Sequence, residues 1–156
     1  WNGYSAKRIL AVTEELGPYL RRASRVKPVY EDFMGALRAL QGRKGVSLEN
    51  VKALDELVLS PVTRESLGLI AGRMADPQHT EAHGGTLPTG VLFYGPPGTG
   101  KTATAKALAK SIDWAFLTAT GADLARTPAE LQKLHDQANE LRPCVIFVDE
   151  ADELLR

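Results

Sequence analysis

An α/β fold, a doubly wound parallel sheet with helices on both faces preceded by a small helical subdomain, is what this sequence predicts. Three observations point to it. Apolar runs at residues 90–94, 114–120 and 144–150, the last ending in two carboxylates, have the length and composition of buried strands. The segments that follow the first two are rich in good helix formers. Residues 1–41, by contrast, carry helical spacing ahead of a polar, glycine-rich break.

Taken in order, Ser5 is placed to cap a helix running to Leu16, with Ile9, Val12 and Leu16 on one face. Gly17-Pro18 is expected to break it, since an interior proline costs a helix ~3 kcal/mol. Tyr19 to Arg25 would then restart as a short basic helix. After Pro28, residues 30–40 predict another helix, on which Phe33, Leu37 and Leu40 share a stripe. Gln41-Gly42-Arg43-Lys44-Gly45 reads as a linker. The expected division is residues 1–41 as a helical lid-like unit, 42–50 as linker and 51–156 as a partial core. Val51, Leu54, Leu57 and Val58 predict an amphipathic helix stopping near Ser60. Ser60-Pro61 opens the next, with Leu67, Ile70, Ala71 and Met74 at helical spacing. Residues 76–88 read as a polar loop; His79 and His83 within it lack a third ligand for a metal. Thr127-Pro128-Ala129-Glu130 has the form of a capping box opening a helix whose Leu131, Leu134, Ala138 and Leu141 face the sheet. Asp152 and Glu153 read as a solvated helix start.

The chemistry lies where strands end. Gly95-Pro96-Pro97-Gly98-Thr99-Gly100-Lys101-Thr102 matches G-x-x-x-x-G-K-[ST], a complete phosphate-binding loop, or P-loop. Its glycines let backbone amides turn around an anion with no Cβ in the way. A helix follows, and its exposed amides and dipole favour negative charge. Strand, glycine turn and helix are the context the motif requires, so the chain is expected to bind a nucleoside triphosphate. Downstream, Cys144-Val145-Ile146-Phe147-Val148 ends in Asp149-Glu150, as the Walker B element of P-loop NTPases does. The apolar run suits a central strand buried on both faces. Asp149 and the Thr102 hydroxyl are the expected holders of Mg²⁺. Glu150 is the candidate general base, and Lys101 the fixed positive charge for the β- and γ-phosphates. The candidate nucleotide-binding set is Gly95, Pro96, Pro97, Gly98, Thr99, Gly100, Lys101, Thr102 and Ala103.

Composition excludes several classes. Nineteen basic and 19 acidic side chains give a formal net charge of zero, which argues against an electrostatic nucleic-acid binder. No apolar stretch approaches the ~20 residues of a membrane span, and no signal peptide opens the chain. The one cysteine, Cys144, allows no intramolecular disulfide and reads as packing, so a reducing, cytoplasmic setting is expected. The chain stops six residues after Glu150, where such a sheet still needs strands, and begins at Trp1-Asn2-Gly3 without methionine. It is expected to be a piece of a longer protein.

The two motif stretches, from Gly90 through Thr102 and from Pro143 through Glu150, resemble the AAA branch of AAA+ ATPases. The chain is similar in particular to the second cassette of valosin-containing-protein-like tandem ATPases. Gly3-Tyr4-Ser5-Ala6-Lys7-Arg8-Ile9 resembles the start of that family's helical lid, and Glu31-Asp32-Phe33-Met34-Gly35-Ala36-Leu37 its close. Leu48-Glu49-Asn50-Val51-Lys52, with Leu57-Val58 and Pro61, resembles the lead into a second core. The resemblance implies the order lid, linker, core, with ATP and Mg²⁺ as cofactors and self-association into a ring, a hexamer in the family. It also implies arginine fingers from a neighbouring subunit, lying beyond Arg156.

Three departures from the pattern stand out. Lys7 occupies a position usually held by a small residue, where it is either a phosphate-sensing group or a surface lysine. The family's adenine-lining Trp-x-Asp-Ile-Gly-Gly is absent before Leu48, so adenine specificity rests on the resemblance alone. The loop 121–127 lacks the aromatic grip of threading unfoldases, and this cassette is expected not to pull substrate strongly. The leading reading is ATP hydrolysis by a motor cassette that remodels or unfolds protein complexes, its substrate and adaptors unspecified. A nucleotide-gated assembly scaffold and the ATPase part of a membrane AAA protease stand as alternatives.

Overall fold

The computed structural model describes residues 5–42 and 45–155, so Gly3 and Tyr4 of the lid-like start and Arg43 and Lys44 of the linker lie outside it. Helix α1, Ala6–Arg22, is capped by Ser5, whose hydroxyl accepts from the Arg8 amide. It runs unbroken through Pro18, where the sequence predicts a stop. The reason is burial: Val12 and Leu16, with Tyr19 and Leu20 beyond the proline, pack against Ala36 and Leu37 of α2, Tyr30–Gly42. Apolar contact on both sides of Pro18 offsets the ~3 kcal/mol that an interior proline costs. The turn between the helices is tied by Asp32, 2% exposed, whose carboxylate accepts from Arg25 at 3.0 Å and from the Val29 amide at 2.9 Å.

The predicted helix over residues 51–58 is a single 3-10 turn, Leu54–Glu56. Its carbonyls are claimed by cations from elsewhere. Lys110 Nζ donates to Val51 O at 2.5 Å, and the Arg64 guanidinium to Asp55 O at 3.2 Å and Leu57 O at 2.7 Å. Val58 is left fully exposed. Helix α3, Pro61–Ala75, follows with Ser60 as its cap and Leu67 buried. The expected loop at 76–88 contains a short helix, α4, Pro77–Ala82, because Asp76 takes the His79 amide and the Thr80 hydroxyl bonds back to Arg73 O and Asp76 O.

Helix α5, Lys101–Ser111, leads to strand β1, Ala115–Thr120, then α6, Gly121–Arg126, α7, Pro128–Leu141, and strand β2, Cys144–Asp149. The two strands pair in parallel, Ala115 beside Cys144 through Thr120 beside Asp149. Successive side chains of β1 face opposite ways. Phe116 packs with Ala105 and Ala109 of α5, and Leu117 with Leu134, Ala138 and Leu141 of α7. The sheet thus has a helix on each face, which is the doubly wound α/β arrangement.

Three expectations are corrected here. Residues 90–94 form no strand: Leu92 and Tyr94 are exposed and only Phe93 reaches the core. A strand exists through its neighbours' hydrogen bonds, and among the described residues only β1 and β2 supply them, to each other. For the same reason β2 is half-buried rather than covered on both faces, with Ile146 exposed. The Thr127 capping box does not close. The Glu130 amide donates to the Thr127 carbonyl at 3.1 Å instead of the hydroxyl, and Leu131 points to solvent.

Phe116 is fully buried between the strands and α5, so Phe116→Ala is expected to lower stability by about 3–5 kcal/mol. Val58→Ala, at a fully exposed site, is expected to leave the urea midpoint where it is.

Candidate functional site

The site is assembled by the direction in which α5 runs. The carboxyl end of α5 turns directly into β1, with the Trp114 amide bonded to Ala109 O at 3.0 Å. The helix therefore folds back along the sheet, and its amino end returns to the carboxyl ends of the strands. An 11-residue helix spans about 16 Å and a six-residue strand about 20 Å, so the two ends match. Gly95, Pro97, Gly98 and Gly100 through Ala103 line the same open cleft as Asp149 and Glu150, about 1210 Å³ in volume, whereas Pro96 and Thr99 do not line it. That exceeds the roughly 300–1,000 Å³ of small-molecule pockets.

Within the loop, Gly98 at φ 77° and Gly100 at φ 84° adopt the left-handed conformation that a Cβ disfavours. Gly100 is also the cap residue of α5 and brings no side chain to its first amides, which stay available to an anion. Its carbonyl accepts from both the amide and the hydroxyl of Thr104, at 2.9 and 3.0 Å, fixing the first turn. Thr99 Oγ1 donates to Pro96 O at 2.9 Å. Lys101 Nζ donates to Gly95 O at 3.0 Å and Pro96 O at 2.9 Å, so the ammonium is folded over the loop's own carbonyls.

Asp149 closes β2 opposite Thr120. One of its oxygens, Oδ1, accepts from the Glu150 amide at 3.0 Å. The other takes no hydrogen bond among the described residues, and neither does the Thr102 hydroxyl. Two uncommitted oxygens on one cleft fit a hard cation that keeps much of its water. The absence of any group of three metal-ligating side chains among the described residues is compatible with that. Glu150 stands at φ 52°, a left-handed turn that costs a non-glycine residue about 1–2 kcal/mol. The chain then enters a 3-10 turn, Ala151–Leu155, held by the Glu153 amide bonded to Glu150 O at 3.0 Å. Asp152 and Glu153, expected at a helix start, lie in this turn.

Other candidates fall away from the cleft. Lys7 is exposed on the first turn of α1 and does not line it. The rings of His79 and His83 lie 4.2 Å apart, tilted by 40°, and both are exposed. Two apolar side chains that the sequence marked for helix and strand but not for the site, Met74 and Trp114, do line the cleft. Nothing local in the sequence marks either one for it, since each reaches the cleft only through the packing of α3 and α5.

A profile of the ATPase family associated with various cellular activities (AAA) matches residues 91–156. The chain is similar to the ATP-dependent zinc metalloprotease FtsH 1 of Symbiobacterium thermophilum, 35% identical over 120 residues covering 74% of this chain and 19% of that protein. The ATP-dependent zinc metalloprotease FtsH of Ralstonia pickettii is 37% identical over 120 residues, 74% of this chain and 16% of its own. FtsH 1 of Salinibacter ruber is 37% identical over the same length, 74% and 17% respectively. The chain spans less than a fifth of each of these relatives. They are zinc metalloproteases rather than the tandem-cassette ATPases that the lid-like segments resemble.

Cys144 stands half-buried at the start of β2. Burial pushes its thiol up, against a smaller downward pull from Arg8 and Arg142. Less thiolate at neutral pH means slower alkylation. Iodoacetamide is expected to react roughly tenfold or more slowly with the folded chain than with the urea-unfolded chain at pH 7.5. Equal rates would contradict the burial.

Proposed function

Because the chain belongs to the AAA family of ATPases, we propose that it binds ATP in the cleft and hydrolyses it with Mg²⁺, as one cassette of a self-associated ring. The observation that supports this is the convergence of the glycine turn, Lys101 and the Asp149-Glu150 pair on one cleft. Amides of Gly98, Thr99 and Gly100 bind the β-phosphate, while Gly95 to Ala103 as a whole wrap the triphosphate. Lys101 exchanges its contacts to Gly95 O and Pro96 O for phosphate oxygens. The Thr102 hydroxyl and the Asp149 carboxylate would hold Mg²⁺. When bound, the ion neutralises charge at the β- and γ-phosphates. Glu150 orients the attacking water and accepts its proton.

The turnover would drive remodelling or unfolding of a protein complex, in a reducing, cytoplasmic setting. A second reading is favoured by the relatives: the chain is the nucleotide-driven part of an ATP-dependent zinc metalloprotease. No described helix is long and apolar enough to cross a membrane, and peptide cleavage in that reading would be the work of residues other than these. A third reading, a scaffold whose assembly follows its nucleotide state, draws on α6. There the Thr120 hydroxyl caps a six-residue helix that carries no aromatic side chain.

Two substitutions in the full-length protein test the ATPase reading. Glu150→Gln is expected to keep Mg-ATP affinity and to lower turnover about 10²–10⁴-fold; unchanged phosphate release would sink the hydrolytic role. Lys101→Ala removes the cation, and calorimetry is expected to show ATP affinity weakened about 10–100-fold.

A further inference from the structure

The cleft explains Glu150 by its side chain, but what fixes its backbone lies on another element. Gly121 opens α6 at the end of β1 and is buried. A Cβ built on it would lie 2.2 Å from the carbonyl oxygen of Glu150, 3.1 Å from its carbonyl carbon and 3.3 Å from Glu153 Cβ. The first distance is impossible for real atoms, and the obstacle is main chain rather than the tip of a flexible side chain. Three restraints therefore meet on residue 150. Its amide donates to Asp149 Oδ1 and its carbonyl accepts from the Glu153 amide, both at 3.0 Å. The bare face of Gly121 closes the third side. Together they enforce the left-handed turn, φ 52°, that carries Glu150 off the end of β2 beside Asp149 in the cleft.

We propose that Gly121 is a positioning residue for Glu150: its missing side chain admits the backbone turn that sets the carboxylate for hydrolysis. This rests on the ATPase reading above. The requirement is for closeness, not for an unusual backbone at residue 121, which is helical. Any side chain there moves residue 150 by the best part of an ångström or more, and a misplacement of that size costs turnover rather than binding.

The test is a double-mutant cycle in the full-length protein. Gly121→Ala is expected to leave Mg-ATP affinity within about twofold and to lower kcat about 10²-fold, with KM little changed. On a Glu150→Gln background the same substitution is expected to change residual turnover no further, because the acid it positions is already gone. Gly72→Ala, where an added Cβ meets nothing, is the control for a neutral glycine substitution. An unchanged kcat in Gly121→Ala overturns the proposal. So does an equal loss in both backgrounds, which would mark a role independent of Glu150. Loss of ATP binding also overturns it, since the glycine would then serve the fold. If Glu150→Gln alone leaves turnover intact, the hydrolytic reading itself fails and takes this inference with it.

Discussion

Everything functional here depends on the antiparallel packing of one alanine-rich helix on two parallel strands. Ala105, Ala107 and Ala109 of α5 are almost wholly buried, and Phe116 and Phe147 pack against Ala105 and Ala109. Small residues let the helix lie close to the sheet, so that the pair of strands sets its axis. Once α5 lies antiparallel to β1, its amino end and the carboxyl ends of both strands share an edge. The anion-attracting end of a helix then faces two carboxylates across a single opening. The arrangement suits a phosphate chain accompanied by a metal, whose charges would sit between the two.

The edge is held by short bonds that each join a side chain to a main-chain group. The first turn of α5 is tied by Thr104 to Gly100 O, and the end of β2 by the Asp149 carboxylate to the next amide. Lys101 lies over the loop carbonyls at hydrogen-bond distance. Each of these bonds spans only a few residues along the chain. The long-range restraint is the contact of α6 with the turn after β2, and there the fit is steric.

How much was legible follows the same division between local and distant causes. The glycine turn, α5, both strands and the terminal Asp149-Glu150 pair were readable because each is written in consecutive residues. Residues 90–94 have strand composition, yet ladder bonds come from neighbours, and among the described residues none reach them. The helix expected at 51–58 lost its carbonyls to Lys110 and Arg64, cations distant in sequence. Pro18 looked like a terminator because a local penalty was weighed without the apolar partner that offsets it. Gly121 was the least visible: in sequence it is a punctuating glycine, and only tertiary contact reveals that the space beside it is already filled.

The join between the α1–α2 hairpin and the sheet has a character of its own. Each side has its apolar cluster, while the contacts across include Arg8 on the carbonyls of Asn139 and Arg142 and the Arg38–Asp113 pair at 2.5 Å. Charged contacts at a surface are weakened by mobile ions, with a screening length of about 8 Å at physiological salt. Dissolved electrolyte thus acts on this seam more strongly than on either greasy interior. The seam between the two oily clusters is thus the part of the molecule whose bonding answers to ionic strength.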